Sequence, residues 1–206
     1  MLPNVYASNN YTTYGGQHTQ TYETARKNYN LWVLGGLQVD GGGAAVQSGG
    51  MPTPYIAGYF DEASSIEVNS SGVLTNNGGY WPVPAPLFTG QIATGTPTTT
   101  SLVVSGTPYI NQSMVGYVVI MTSGAANGQT AVIHINNTNT LTLYADGTAS
   151  PTAIGTFAGL TIAPSAGDTF NIIPVSTLDG VHPNVLSHVS IGSSFATWIN
   201  SNLTPQ

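Results

Sequence analysis

Hydrophobic positions along the chain follow two rhythms, and the places where the rhythm changes divide it. From Thr19 to about Leu34, Tyr22, Arg26, Tyr29 and Val33 fall at three- and four-residue steps with Trp32 alongside, which predicts a helix. Thr21 is its expected N-cap, and Glu23 places negative charge in the first turn. Val185 to Leu203 repeats the rhythm, with Ile191, Phe195, Ile199 and Leu203 at four-residue steps beside Ala196 and Trp198, and predicts an amphipathic closing helix. Between them, from Thr89 to Val175, the pattern is one of short β runs: residues 101–105, 116–121, 129–135, 139–144 and 168–173. Asn127-Gly128 and Asn136-Asn137 supply hairpin-type turn residues. Five or six closely spaced strands of this length predict a small antiparallel barrel or sandwich.

The remaining segments carry weaker patterns. Leu2, Val5 and Tyr6 read as a strand end, residues 37–40 as extended, and residues 55–61 as a buried strand ending at Asp61. Gly35-Gly36 stops the first helix. Gly41 to Gly50 is a glycine-rich loop that lacks both the Lys-Ser/Thr ending of a phosphate-binding loop and the G-x-G-x-x-G spacing. Residues 69–86 are dense in Asn, Gly and Pro, with Tyr80-Trp81-Pro82 as an exposed or semi-exposed aromatic segment. The chain thus reads as an all-β module, residues 89–175, inserted between two parts, 1–88 and 176–206, of a domain with a different texture.

Composition changes this picture in one respect. Charged residues make up 5% of the 206, against roughly 25% in average soluble proteins. Hydrophobic residues stand at 41%, so Thr, Asn, Ser and Gly have replaced the charge. A surface of uncharged polar groups puts little repulsion between copies, which points to life inside an assembly. A free secreted enzyme from an acidic niche is the alternative. Arg26 and Lys27 are the two basic residues and the net charge is −6, which argues against any nucleic-acid partner, since phosphates need several cations. With no cysteine, disulfides, thiolate zinc sites and a cysteine nucleophile are excluded. No signal-peptide pattern opens the chain and no apolar run approaches the roughly 18 residues of a membrane span, so a soluble protein is expected.

The one carboxylate–imidazole spacing with chemical meaning is Asp179 and His182, three residues apart around Gly180 and just before Pro183. There a carboxylate can fold back onto one imidazole nitrogen and leave the other free to take a proton, which is half of a catalytic triad. His134, in a strand without a partner, reads as structural, and His188 as a capping or packing residue at the start of the last helix. His18, His134, His182 and His188 are not in ligand spacing with acids, so neither a metal nor another cofactor is expected.

Asp179-Gly-Val-His182-Pro-Asn, followed by Ser187-His188 and an apolar helix, closely resembles the last sequence block of the SGNH (GDSL-type) esterases and carbohydrate deacetylases. The segment Arg26-Lys-Asn-Tyr-Asn30 and the strand ending near Asp61 are similar to pieces of the second half of that family's fold. The resemblance covers residues 1–86 and 176–206. It implies an α/β protein: a partial SGNH-like three-layer α/β/α sandwich with an inserted small antiparallel β-barrel or sandwich. It also implies His182 as general base and Asp179 as its orienting group. The family's Gly-Asp-Ser and Gly-x-Asn-Asp blocks, which carry the nucleophile and oxyanion donors, are not in this sequence; Ser8 and Ser48 are the nearest substitutes and neither follows a strand as the family requires.

The expected function is therefore part of an SGNH-type serine ester hydrolase acting on a glycan O-acetyl group, with the serine supplied by a complementary chain or a missing N-terminal segment. Tyr80, Trp81 and the β module would hold polysaccharide. The β module is also similar to small barrels in tailed-phage virion proteins. That supports an alternative, a non-catalytic tail-fibre, spike or decoration protein built on an SGNH-like remnant. A free glycan-binding module, resting on the aromatic loop, is a third reading. All three place the chain outside the cell or in a virion; the first two add a complementary chain or homo-oligomeric partner.

Overall fold

The computed structural model describes residues 2–3, 5–7, 10–34, 38–39, 51–52, 62, 65–75, 78–144, 159–178 and 183–202. In chain order, β1 (Val5–Ala7), β2 (Gln17–Thr19), α1 (Glu23–Leu34), β3 (Gln38–Val39) and β4 (Met51–Pro52) come first. Six further strands follow, β5 (Phe88–Gln91), β6 (Ser101–Val103), β7 (Val118–Met121), β8 (Thr130–Asn136), β9 (Thr140–Leu143) and β10 (Thr169–Ile173), and the described chain closes with α2 (Val185–Asn202).

Each of the five predicted β runs contains a strand, and β5 adds a sixth. They pair in the order β5-β10-β7-β8-β9-β6. The sheet curls into a half-barrel whose edges approach one another, because Ile92, just past β5, bridges Val104, just past β6. Ala93 N–H donates to Val103 at 2.9 Å and Ser105 N–H to Gln91 at 3.0 Å across that seam.

Alternation along the strands builds two cores. Val119, Met121, Ala131, Ile133, Leu141, Phe170 and Ile172 fill the concave side with Leu102, Val104 and Tyr109. Gly90 makes room for this packing: a Cβ there would stand 2.5 Å from the Phe170 ring. On the opposite face Val118, Val132 and Ile173 pack with Val175 and with Tyr11, Ile66 and Trp81 from the flanking segments. Central strands β7 and β8 are covered on both faces, which is why they read as unbroken apolar runs rather than as clean alternation. The second core joins residues of the β module to residues on both sides of it in the sequence.

Local chemistry sets the turns. Gly128 adopts φ +82° after Asn127, the left-handed conformation that a glycine takes without strain. The Asn137 side chain accepts from the N–H groups of Asn139 at 2.9 Å and Thr140 at 2.7 Å, closing the turn between β8 and β9. One feature breaks the period. The β8–β9 register shifts between Ile133 and Ile135 and makes His134 the extra residue of a bulge. Phase reverses beyond it: Ile135 is 43% exposed and Asn136 is buried. The Asn136 amide is fully used, accepting from Met114 N–H at 2.8 Å and donating to the carbonyls of Ile110 and Asn137.

The expected three-layer α/β/α sandwich is not formed. The fold is mostly β, one antiparallel half-barrel with two helices. A three-layer sandwich requires a parallel sheet with helices over both faces. Here the β1–β2 and β3–β4 pairings are antiparallel and two or three residues long. The predicted strand at residues 55–61 lies outside the described residues, as do Ser8 and Ser48.

Helix α1 begins at Glu23, one residue later than a cap at Thr21 would start it; Tyr22 contributes the first helical carbonyl, to Arg26 N–H at 3.0 Å. Over its described side chains, residues 23–29, the buried positions are not the predicted apolar ones. Glu23 and Arg26 are turned inward while Tyr22 and Tyr29 are exposed.

Candidate functional site

The segment that carries Asp179 and His182 is anchored at both ends. Thr177 pairs antiparallel with Pro183, and Asn184 N–H donates to the Ser176 carbonyl at 2.8 Å. Asn184 is also the N-cap of α2: its side-chain oxygen accepts from Ser187 N–H at 3.3 Å and its carbonyl from His188 N–H at 2.9 Å. Ser187 Oγ then donates back to the same Ser176 carbonyl at 2.8 Å. Loop and helix are thus fastened to a single backbone oxygen. Asp179, Gly180, Val181 and His182 themselves lie outside the described residues.

Beside this anchor lies a cavity of about 440 Å³. Tyr14, Ser65, Ser176, Ser187 and Ser190 line it together with the segment Pro82-Val83-Pro84 and the apolar Ile66, Val68 and Leu74, and among the described residues no carboxylate or cationic side chain contributes to the wall. Two of these hydroxyls are engaged besides Ser187: Ser65 Oγ donates to the Glu62 carbonyl at 2.7 Å, and Tyr14 Oη accepts from Val83 N–H at 3.3 Å. Ser190 is exposed at the cavity wall.

Of the two aromatic residues expected to hold a glycan, Tyr80 is half-buried and Trp81 fully buried in the second core. The Gln17 amide causes this, pairing with the backbone of Trp81 as a strand would: Trp81 N–H donates to Gln17 Oε1 and Gln17 Nε2 to the Trp81 carbonyl, both at 2.9 Å. His134 is exposed on β8, its ring 4.6 Å from that of Tyr144. His18 and His188 are also exposed. Among the described residues no three His, Cys, Asp or Glu side chains gather as a metal site would need, and no helix is long and apolar enough to cross a membrane.

The strongest electrostatic cluster is one the sequence reading passed over. Arg26 lies between two carboxylates: Nη2 is 2.5 Å from Glu23 Oε1 and 2.6 Å from Glu67 Oε1, and Nε donates to Glu23 Oε2 at 2.9 Å. Glu67 has no exposed surface and also accepts from Gly79 N–H. Lys27 Nζ stands 4.0 Å from Glu23 as a weaker second cation. Burial alone would lower the Arg26 pKa, but the bonds to Glu23 and Glu67 outweigh it and hold it above its ordinary value. The Glu23-x-x-Arg26 spacing was a readable signal, since it pairs one of only two cations in the chain with an acid one turn away. Glu67, 41 residues from Arg26, gave none. The cluster ties α1 to residues 67–79.

Compared with known protein families, with characterised proteins and with solved structures, the chain matches none.

Proposed function

We propose that the chain is a structural, non-catalytic building block of a larger extracellular or virion assembly, of the tail-fibre, spike or decoration kind. The observation that carries this reading is the use of polar side chains on the β body. They bond one another over the surface of the β body instead of converging on a space: Thr89 with Asn171 at 2.8 Å, Thr122 with Thr169 at 2.7 Å, and Thr161 Oγ1 with Gln129 Oε1 at 3.2 Å. Such ties stiffen a surface that carries almost no charge, and a stiff, weakly charged block suits close packing with other subunits. The concave side of the sheet is filled by its own side chains. The deciding experiment is an ester-hydrolysis assay of the purified chain and of its assembled forms on p-nitrophenyl acetate and O-acetylated glycans. No turnover above buffer is expected; turnover that His182→Ala abolishes would overturn the reading.

One observation favours a second reading, serine-dependent ester hydrolysis. The serine-lined cavity adjoins the anchored ends of the segment containing Asp179 and His182. In that reading His182 takes the proton of a serine hydroxyl as it attacks the ester carbonyl and passes it to the leaving alcohol, while Asp179 orients the imidazole. Ser190, exposed at the cavity wall, is this chain's own hydroxyl to test: Ser190→Ala and His182→Ala should then remove the same activity.

A further inference from the structure

The cavity beside the Ser176 anchor holds hydroxyl groups that the fold does not use. Ser176 lines it and is 4% exposed. The hydrogen bonds this residue makes, from Asn184 N–H and from Ser187 Oγ, both go to its carbonyl, so among the described residues its own hydroxyl is unspent. Tyr109 carries the one sealed-in hydroxyl without a partner among those residues. The Ser176 hydroxyl therefore meets open space, and the space it lines is the cavity. Tyr14 Oη accepts from Val83 N–H and keeps its own proton to donate. Ser190, in the second turn of α2, adds an exposed hydroxyl at the wall.

The opposite part of the lining is shaped by a closed turn. Val68 bridges Leu74, and the Asn69 side chain accepts from Ser71 N–H at 2.9 Å and Val73 N–H at 3.1 Å. Gly72 takes φ +79° in that turn, and a Cβ there would stand 2.6 Å from Tyr14 Oη. Glycine thus lets the turn close onto the tyrosine hydroxyl. Ile66 and Val68 are buried and Leu74 is 60% exposed, so apolar surface runs from inside the wall out to solvent.

We infer that this cavity is a binding site for one uncharged sugar unit. A hydroxyl both donates and accepts, as each hydroxyl of a sugar ring does, so Ser176, Ser190 and Tyr14 match such a ligand group for group. The C–H faces of the ring would lie against Ile66, Val68 and Leu74. A volume of about 440 Å³ falls within the range of small-ligand pockets, roughly 300–1,000 Å³. The chain's net charge of −6 disfavours an anion. Among the described lining residues an anion finds no cationic side chain and a cation no carboxylate. So few polar contacts in an open cavity give a Kd on the order of 1–10 mM. The inference rests on neither reading of function above, since ester turnover decides between those and sugar binding does not.

The test is a titration of the full chain with glucose, galactose, mannose and N-acetylglucosamine, each to about 100 mM, followed by amide chemical shifts. At least one sugar should give saturable shifts centred on Tyr14, Gly72, Ser176 and Ser190, and its 6-phosphate should bind at least about fivefold more weakly. Ser176→Ala keeps the carbonyl that holds α2, so the rest of its spectrum should be unchanged while sugar affinity falls at least about fivefold. Ser190→Trp, at an exposed position, should fill the mouth and abolish the shifts. Three results would each overturn the proposal: no saturable shift with any of the four sugars, shifts that both variants leave intact, or equal binding of the 6-phosphate.

Discussion

The β body and the start of helix α1 solve burial in opposite ways. In the half-barrel, Phe170, Ile172, Val119 and Leu102 point inward while Thr89, Thr122, Thr169 and Asn171 bond one another outside. In the first turns of α1 an ion cluster is buried and Tyr22 and Tyr29 are exposed; α2 turns Ser187, Ile191, Ser194 and Trp198 toward the protein. The sheet is held by burial of apolar area, which needs volume but little direction. Helix α1 is tied by directional bonds from Arg26 to Glu67, and α2 combines the Ser187–Ser176 bond with Ile191 packed on the second core.

Two substitutions should be equally severe for different reasons. Phe170→Ala leaves a cavity in the concave core, with an expected loss of about 3–5 kcal/mol. Arg26→Met should cost about the same, because it leaves Glu23 and Glu67 buried without their cation. Urea unfolding measures both. If Arg26→Met proved nearly neutral, the idea of a helix held by its charges would be wrong. Gln17→Ala comes next, at about 1–3 kcal/mol, since it strands the N–H and carbonyl of buried Trp81.

Tyr109→Phe is a smaller test of the apolar side of the comparison. Its hydroxyl is buried in the concave core and, among the described residues, has no hydrogen-bond partner. Removing it should change stability by about 1 kcal/mol or less, in the stabilising direction. Burial also raises the Tyr109 pKa above its ordinary value of 10. The folded state therefore keeps the phenol neutral while the unfolded chain ionises it. The wild type should lose stability as pH rises above about 10, and Tyr109→Phe should flatten that slope. A tyrosine that titrates normally in the folded protein, by ultraviolet difference absorbance, would contradict this. Smallest of all, Phe195→Ser should shift unfolding of the dilute chain by about 1 kcal/mol or less, far below Phe170→Ala, although both remove a phenylalanine ring.

Much of the half-barrel was legible along the chain. Its strands are marked by short apolar runs bounded by turn residues, and the Asn127-Gly128 and Asn137 turns are local events encoded by the residues that make them. The layer architecture was not legible in the same way. The helix-and-strand texture of the flanking segments matches a parallel sandwich as well as it matches a cover over one face of an antiparallel sheet; only the strand pairing distinguishes them. The bulge at His134 was hidden because a single extra residue leaves no compositional mark, yet it decides that Ile135 is outside and Asn136 inside. Asp179 and His182 were legible as a spacing, and the structure adds the clamp at Ser176 that anchors the segment containing them.

By itself the sequence determined the two helical periods, the β rhythm of residues 89–175, the near-absence of charge and the charge-free final segment. These are properties of neighbours, set by steps of two to four residues. Tertiary structure alone decided which side of each helix faces the protein. Glu67 reaches Arg26 across 41 residues, Gln17 reaches Trp81 across 64, and Ser176 meets Ser187 across a loop. Each buried polar group must find a partner wherever the fold places one. That requirement turned Glu23 and Arg26 of α1 inward, and on α2 it acts together with the packing of Ile191 against the second core.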